Sequence, residues 1–485
     1  MTREPTGSHE GIALASSRGR IVLAATAAAS AMGQLDGTIV NVALPHVGDD
    51  FGVDVSALQW VLTAYLLTLA SCILLGGALG DRHGRRRVFA IGTAWFAAAS
   101  LVCAFAPGVE VLVAGRALQG VGAALLTPGS LAILQASFSV DDRARAVGAW
   151  SALGGVAGAV GPFVGGWLVG GPGWRWAFLL NLPVAAAVAW CARSIPESRD
   201  PDPRPLDLVG AAIAVVTLAA LTLVLTEARP RGWDDPLVTL ATLVGAVGAV
   251  WFVVHVRRST SPLVPPTLFA NRDFTVTNLA TFALYAAIGV TFFLVAYQLQ
   301  VAAGWSALRS GTALLPATVL MLLFASRSGA VAQRLGPRPQ LVAGPLVLAA
   351  GLLVLGRTGS HPSWMRDVLP GATLVGVGLV LFVAPLTSTV MASVDPDHMS
   401  VGSGVNNAVA RTASLTSLAL VPVMAGLTTA VGPAAVTEAT RRALVIAAVC
   451  AATAAPIALI GLAGTRRGGQ TQNSLPSGSV NTTHE

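Results

Sequence analysis

Fourteen apolar stretches, each about as long as a membrane-crossing helix requires, follow one another along this 485-residue chain. They cover 20–43, 57–79, 87–106, 110–134, 145–169, 175–194, 207–227, 236–256, 274–299, 309–332, 339–357, 368–392, 402–429 and 443–464. Only 11% of residues are charged, against about 25% in soluble domains. A soluble fold of this size has too little interior to hide that much apolar surface, whereas a bilayer accepts it. Inside hydrocarbon every backbone polar group must be satisfied within its own segment, so such runs fold as helices. The predicted fold class is therefore an all-α polytopic membrane protein.

The net charge of +7 raises the question of nucleic acid. The distribution argues against it. Every one of the 30 basic residues is arginine, and they cluster in the short segments between apolar runs, as positive-inside loops do. With the N-terminus in the cytoplasm, twenty arginines fall in inner segments, eight in outer ones, and Arg116 and Arg411 within spans. That bias predicts both termini in the cytoplasm and an even number of spans. Cys72, Cys103, Cys191 and Cys450 lie in or beside apolar runs and read as packing residues, with neither a disulfide framework nor a metal site. Residues 1–19 lack the early apolar core of a signal peptide, so the first span itself is the expected anchor.

The segment from Arg193 to Leu206 is proline-rich and of mixed charge, as a linker is. It divides the chain into a cytoplasmic tail (1–19), a six-helix bundle (20–194), the linker (195–206), two further helices (207–256), a second six-helix bundle (257–465) and a disordered tail (466–485). A faint repeat supports two halves: Gly80 to Arg87 follows the second run, and Arg334-Leu335-Gly336-Pro337-Arg338 follows the tenth.

Four motifs occur in order. The first run holds Leu35-Asp36-Gly37-Thr38-Ile39-Val40-Asn41. The loop after the second holds Gly77-Ala78-Leu79-Gly80-Asp81-Arg82-His83-Gly84-Arg85-Arg86. The fourth run holds Arg116-Ala117-Leu118-Gln119-Gly120-Val121-Gly122. The fifth holds Gly154 and Gly158, then Gly161-Pro162-Phe163-Val164-Gly165-Gly166. Further echoes are Gln59-Trp60 with Tyr65, Trp174-Arg175-Trp176 through Asn181 and Pro183, and Ser403-Gly404-Val405-Asn406-Asn407. Over about residues 20–465 the chain resembles the major facilitator superfamily, in particular its fourteen-helix drug:proton antiporter family (the EmrB/QacA type). The resemblance implies two six-helix bundles plus two extra central helices. It implies a cytoplasmic latch made by Gly77, Asp81, Arg82, Gly84, Arg85 and Arg86, which holds the halves together in the outward-facing state. It also assigns Arg116 to proton movement, and links Gly154, Gly158, Gly161, Pro162, Gly165 and Gly166 with export rather than import.

Asp36 is the only acidic residue well inside a predicted span. A charge there costs about 2.5–3.5 kcal/mol on insertion scales. It reads as a proton carrier or an anchor for a cationic substrate, with a structural ion pair as the plain alternative. Arg116 is its natural partner. The two helices run in opposite directions, and at 1.5 Å per residue both side chains fall roughly 10 Å below the outer surface. Desolvation favours the neutral acid and a neighbouring guanidinium favours the carboxylate. Protonation or substrate binding would thus compete with Arg116. In the fifth run, glycines four apart share a face and permit close helix approach, and Pro162 removes one backbone hydrogen bond.

Gln34, Asn41, Tyr65, Gln119, Tyr285, Asn406, Asn407 and Arg411 are candidates to line a central substrate cavity, although each alone suits an interhelical hydrogen bond equally well. No acidic residue lies deep in the last six runs, which argues against dicationic substrates. Thr412-Ala413-Ser414 after Arg411 departs from the glutamine and glycines of the resembled family. The sequence thus predicts a monomeric multi-pass protein of the cytoplasmic membrane. With the resemblance, it is expected to export small amphipathic or lipophilic molecules in exchange for protons, with no cofactor beyond the proton gradient, no metal and no nucleic acid. A nutrient importer and a non-transporting membrane sensor are the competing readings. No catalytic constellation or nucleotide-binding motif is present, so an enzyme or an ATP-driven pump is not expected.

Overall fold

The computed structural model describes residues 11–200, 205–394 and 399–462. The predicted tails fall largely outside these residues, as do 201–204 of the linker and the loop acids Asp395 and Asp397. The first half comprises α1 (Ser17–Phe51), α2 (Val55–His83), α3 (Arg85–Ala104), α4 (Val109–Ser137), α5 (Val140–Gly170), α6 (Trp176–Leu179) and α7 (Asn181–Ala192). Next come α8 (Leu208–Arg231) and α9 (Pro236–Arg258). The second half comprises α10 (Arg272–Tyr297), α11 (Ala307–Gly311), α12 (Leu315–Leu335), α13 (Arg338–Leu355), α14 (Leu369–Ala392), α15 (Met399–Ala425) and α16 (Pro433–Gly461). Among the described residues, eleven helices are long and apolar enough to cross a membrane.

Helix starts follow local chemistry. Asp54 caps α2 by accepting from Ala57 N at 3.0 Å, and Asp207 caps α8 by accepting from Gly210 N at 2.7 Å. α1 runs eight residues past the predicted end at 43, through Pro45, and stops where Gly52 takes a left-handed φ of 64°. The predicted 175–194 run is two helices, broken at Leu180. α16 starts ten residues earlier than predicted, taking in Arg441 and Arg442. Glu438 pairs with both, at 2.7 and 3.0 Å, so the helix carries the charge. Residues 11–16, predicted as part of a tail, are docked: Ile12 bridges to Phe138, and Leu14 N donates to Asp142 at 2.8 Å.

In the first half α4 packs on α2 and α3, and α1 on α5 and α7; in the second, α13 packs on α14 and α16, and α10 on α15 and α16. The α8–α9 pair rests on α2 and α15. Leu240, Leu243, Val247, Val250 and Trp251 along α9 are exposed. A soluble protein would aggregate through such a surface, whereas acyl chains solvate it.

One end of the bundle carries Arg82, Arg85, Arg86 and Arg87 and is here termed the basic end. At the far end the halves meet. A continuous apolar core there joins Val40 to Val47 of α1 and Val55 to Leu62 of α2 with Leu284 to Val295 of α10. Gln59 donates to Leu418 O at 2.9 Å, and Gln300 to Val42 O at 3.1 Å. Beside this seam Asp50 accepts from Arg175 at 2.7 Å and from Trp174 at 3.1 Å. The Arg175 hydrogen bond, then that of Trp174, holds the Asp50 carboxyl below the usual range.

Candidate functional site

Asp36 lies midway along α1, and side chains from α3, α4 and α7 close over it. Arg116 Nη1 meets Asp36 Oδ2 at 2.5 Å, with at most 1% of either side chain exposed. Asp36 Oδ1 accepts from Gln119 Nε2 at 3.2 Å and from Asn181 Nδ2 at 3.1 Å. Both amides also donate to Ser100 Oγ, at 2.8 and 3.2 Å. Ser100 in turn donates its one proton to Phe96 O at 2.8 Å. Arg116 donates further to Gln119 Oε1 at 2.7 Å and to Val61 O at 3.1 Å. Its guanidinium carbon stands 4.3 Å from the Tyr65 ring centre, within cation–π range.

Small residues set up this geometry. A Cβ on Gly122 would come within 2.8 Å of Phe96 N, and one on Gly115 within 2.7 Å of Cys103 Sγ. Any larger residue would push α3 off α4 and separate Ser100 from Gln119. Next to Gln119 on α4, Gly120 lets α2 approach just as closely at Tyr65 and Thr68. The carboxylate therefore has three donors and is closed off from solvent. Removing one member of such a pair leaves a buried charge, at about 3–5 kcal/mol.

Asp36 and Arg116 thus meet, as their matched depths predicted. Gln119, predicted to line a cavity, belongs to this buried cluster instead. It sits one helical turn from Arg116 and faces α3. Tyr65 is also buried, beneath Arg116. Gln34 is exposed, and Asn41 donates to Gly37 O at 2.7 Å. In the second half Asn406 donates to Asn278 at 3.1 Å and Thr281 at 2.9 Å. Tyr285, Asn407 and Arg411 are half-buried.

Asn181 and Ser100 were not predicted as site residues. Asn181 was visible only as part of the Trp174-to-Pro183 echo, and a serine in an apolar helix carries no distinguishing signal. Glu227 was also missed, because it stood at the end of a predicted run. Lying near the far end of α8, it accepts from Trp60 of α2 at 2.8 Å and from Arg231 at 2.9 Å. Arg229 in the next turn donates to Val423 O of α15. Replacing Asn181 with alanine leaves Asp36 Oδ1 and Ser100 one donor short. The expected cost is about 1–3 kcal/mol, checked by thermal unfolding of the purified protein in detergent.

The predicted loop over Gly77 to Arg87 is helical except at Gly84, and across this turn Asp81, in the last turn of α2, pairs with Arg85 at the start of α3 at 2.8 Å. Arg85 N donates to Ser198 O at 2.8 Å, and Arg86 N to Glu197 Oε1 at 3.0 Å. Gly84 has a φ of 105° and lies so close to Glu197 that a Cβ would reach its carboxylate at 2.7 Å. These contacts join the loop to residues 195–200 of the linker, within the first half. On α5 the motif glycines divide. A Cβ on Gly165 would press on Ile39 of α1 at 3.0 Å, and one on Gly166 on Leu308 beside α11 at 2.5 Å. A Cβ on Gly161 would strike Thr38, and Pro162 O packs against Gly311. Gly154 and Gly158 instead have nothing within 4 Å of an added Cβ, so the close approach predicted for that pair is absent. They flank the middle of α5, nearer the basic end than Gly161, Gly165 and Gly166. Among the described residues no group of His, Cys, Asp or Glu is arranged to hold a metal.

Known proteins agree with this architecture. The chain is 34% identical over 395 residues to the probable actinorhodin transporter of Streptomyces coelicolor, covering 79% of this chain and 68% of that protein. It is 35% identical to the puromycin resistance protein pur8 of Streptomyces alboniger, covering 80% and 78%. It is 34% identical to the methylenomycin A resistance protein of Streptomyces coelicolor, covering 83% and 85%. The fold matches the crystal structure of the peptide transporter POT in complex with sulfate, with a TM-score of 0.65, 17% identity and coverage of 91% and 93%. Residues 26–418 match the family model described as Major Facilitator Superfamily. With the helices, the buried pair and the relatives in agreement, the chain belongs to the major facilitator superfamily and is a multi-pass membrane transporter rather than an enzyme.

Proposed function

We propose that this transporter is a proton-coupled antiporter that exports small amphipathic or lipophilic compounds across the cytoplasmic membrane. The observation that carries this reading is the sealed Asp36–Arg116 pair, a carboxylate at 0% exposure that cannot lose or gain its proton without moving a helix partner. Similarity to proteins named for puromycin and methylenomycin A resistance supports drugs or antibiotics as substrates. Adding α1, α5 and the α6–α7 pair to the eleven apolar helices makes fourteen spans, the plan of the drug:proton antiporter branch. The arginine bias supports cytoplasmic termini, and the basic end is then cytoplasmic. The closed far end corresponds to an inward-facing state, in which the Asp81 loop rests on the linker and is free of the latch role it takes when the transporter faces outward. One chain holds the whole site, which supports a monomer.

The test is flux in proteoliposomes with an imposed pH gradient, using a lipophilic cation, a neutral aromatic and an aromatic acid in turn. Gradient-driven movement of at least one probe, abolished by a protonophore, is expected. Equal flux of all three with and without the gradient would contradict coupling.

A further inference from the structure

Arg411 is a second guanidinium in the middle of the bundle, and the proton-coupling cluster does not use it. Residues 404, 411 and 418 recur on one face of α15, two turns apart. A Cβ on Gly404 would meet Leu74 of α2 at 2.9 Å, and Leu418 O accepts from Gln59 of α2. α2 runs antiparallel to α15, so these two contacts set Arg411 level with Tyr65 and Leu66. On the adjoining face Asn406 is bonded to Asn278 and Thr281 of α10, and Ser414 donates to Tyr285 O at 3.3 Å. Arg411 is therefore also level with Tyr285, between the two halves.

Among the described residues Arg411 makes no hydrogen bond and no ion pair. The nearby acids are engaged elsewhere. Asp36 is saturated by Arg116, Gln119 and Asn181, and Glu227 is held at the far end by Trp60 and Arg231. The centre of the bundle thus holds two guanidiniums and one carboxylate. An intramembrane ionisable residue without a structural partner marks a ligand path.

We infer that Arg411, flanked by Tyr65 and Tyr285, anchors an anionic group, so that the substrates of this site are acidic aromatic compounds. A planar guanidinium grips a carboxylate through two parallel hydrogen bonds. The half-buried Tyr285 ring suits an aromatic body, and its hydroxyl can donate to the same carboxylate. The inference names the substrate class of the exporter proposed above and rests on that reading for the direction of transport, though not for binding.

The test is equilibrium binding to the full-length detergent-purified protein. The probes are naphthalene-2-carboxylate, its uncharged methyl ester and 2-naphthylmethylammonium. The acid is expected to bind at least about tenfold more tightly than the ester, as a charge-assisted hydrogen bond implies. Arg411→Gln should erase the difference, Arg411→Lys should keep part of it, and Tyr285→Phe should weaken the acid about threefold to tenfold. Wild-type protein that binds the ester or the cation as well as the acid overturns the assignment, and this comparison needs no variant to fold. So does an acid preference that survives Arg411→Gln. Proteoliposome flux separates the two readings. Arg411-dependent binding of the acid without gradient-driven movement leaves the anion site standing and removes the exporter. Gradient-driven movement of the cation with no acid binding does the reverse.

Discussion

Asp36→Asn is expected to abolish gradient-driven transport while leaving a folded but weakened protein. The substitution preserves the size of the side chain, and its amide oxygen can still accept from Arg116. What it removes is the charge and the titratable proton. Arg116, 1% exposed, is then a buried cation without a counterion, and the expected loss of stability is about 3–5 kcal/mol. Asp36→Asn with Arg116→Gln removes both charges and should recover much of that stability. It should not recover coupling. Thermal unfolding and proteoliposome flux, measured on both single variants and the double variant, separate the two effects. If the double variant regains gradient-driven transport along with stability, the pair only fixes helix packing.

The second large effect concerns the seam at the far end. Gly166→Leu should hold that end open. The first side-chain carbon at Gly166 would stand 2.5 Å from Leu308 Cα and 2.7 Å from Ala307 O, and backbone cannot move aside as a flexible side chain can. Overpacking of this kind costs about 1–3 kcal/mol, enough to shift a two-state equilibrium about 5-fold to 150-fold. At Gly158 an added Cβ has nothing within 4 Å, and the same substitution there should leave the equilibrium unchanged. Spin labels at Glu110 and His361, exposed far-end positions in opposite halves, report the separation in a background whose four native cysteines are replaced. A longer distance in Gly166→Leu, and not in Gly158→Leu, is the expected result. No change in Gly166→Leu would mean that α5 and α11 do not hold the seam.

Most of the helical plan was legible because hydrocarbon imposes a simple length rule, and each predicted run overlaps a described helix. The rule reports how much apolar chain is present, which is not where a helix stops. α1 therefore outran its apolar stretch, and α16 swallowed two arginines that Glu438 neutralises. The break at Leu180 left no mark in composition. At the site, counting residues from the helix ends put Asp36 and Arg116 level with each other, since rise per residue is fixed, and the two side chains do meet. Depth says nothing about which way a side chain turns around its helix axis. That is why Gln119 was predicted for the cavity and is found against Ser100. The α5 motif divides for a similar reason. Four-residue spacing puts glycines on one face, but only the neighbours, present at Gly161, Gly165 and Gly166 and absent at Gly154 and Gly158, decide whether that face is used.

In the proposed cycle Asp36 exchanges its bonds to Arg116, Gln119 and Asn181 for a proton. Difference infrared spectroscopy of protein carrying isotope-labelled aspartate, with and without bound substrate, reports that exchange directly. A protonated-carboxyl band that changes on substrate binding and disappears in Asp36→Asn is expected. A spectrum in which Asp36 remains a carboxylate in both states, while transport is still driven by the pH gradient, would contradict it.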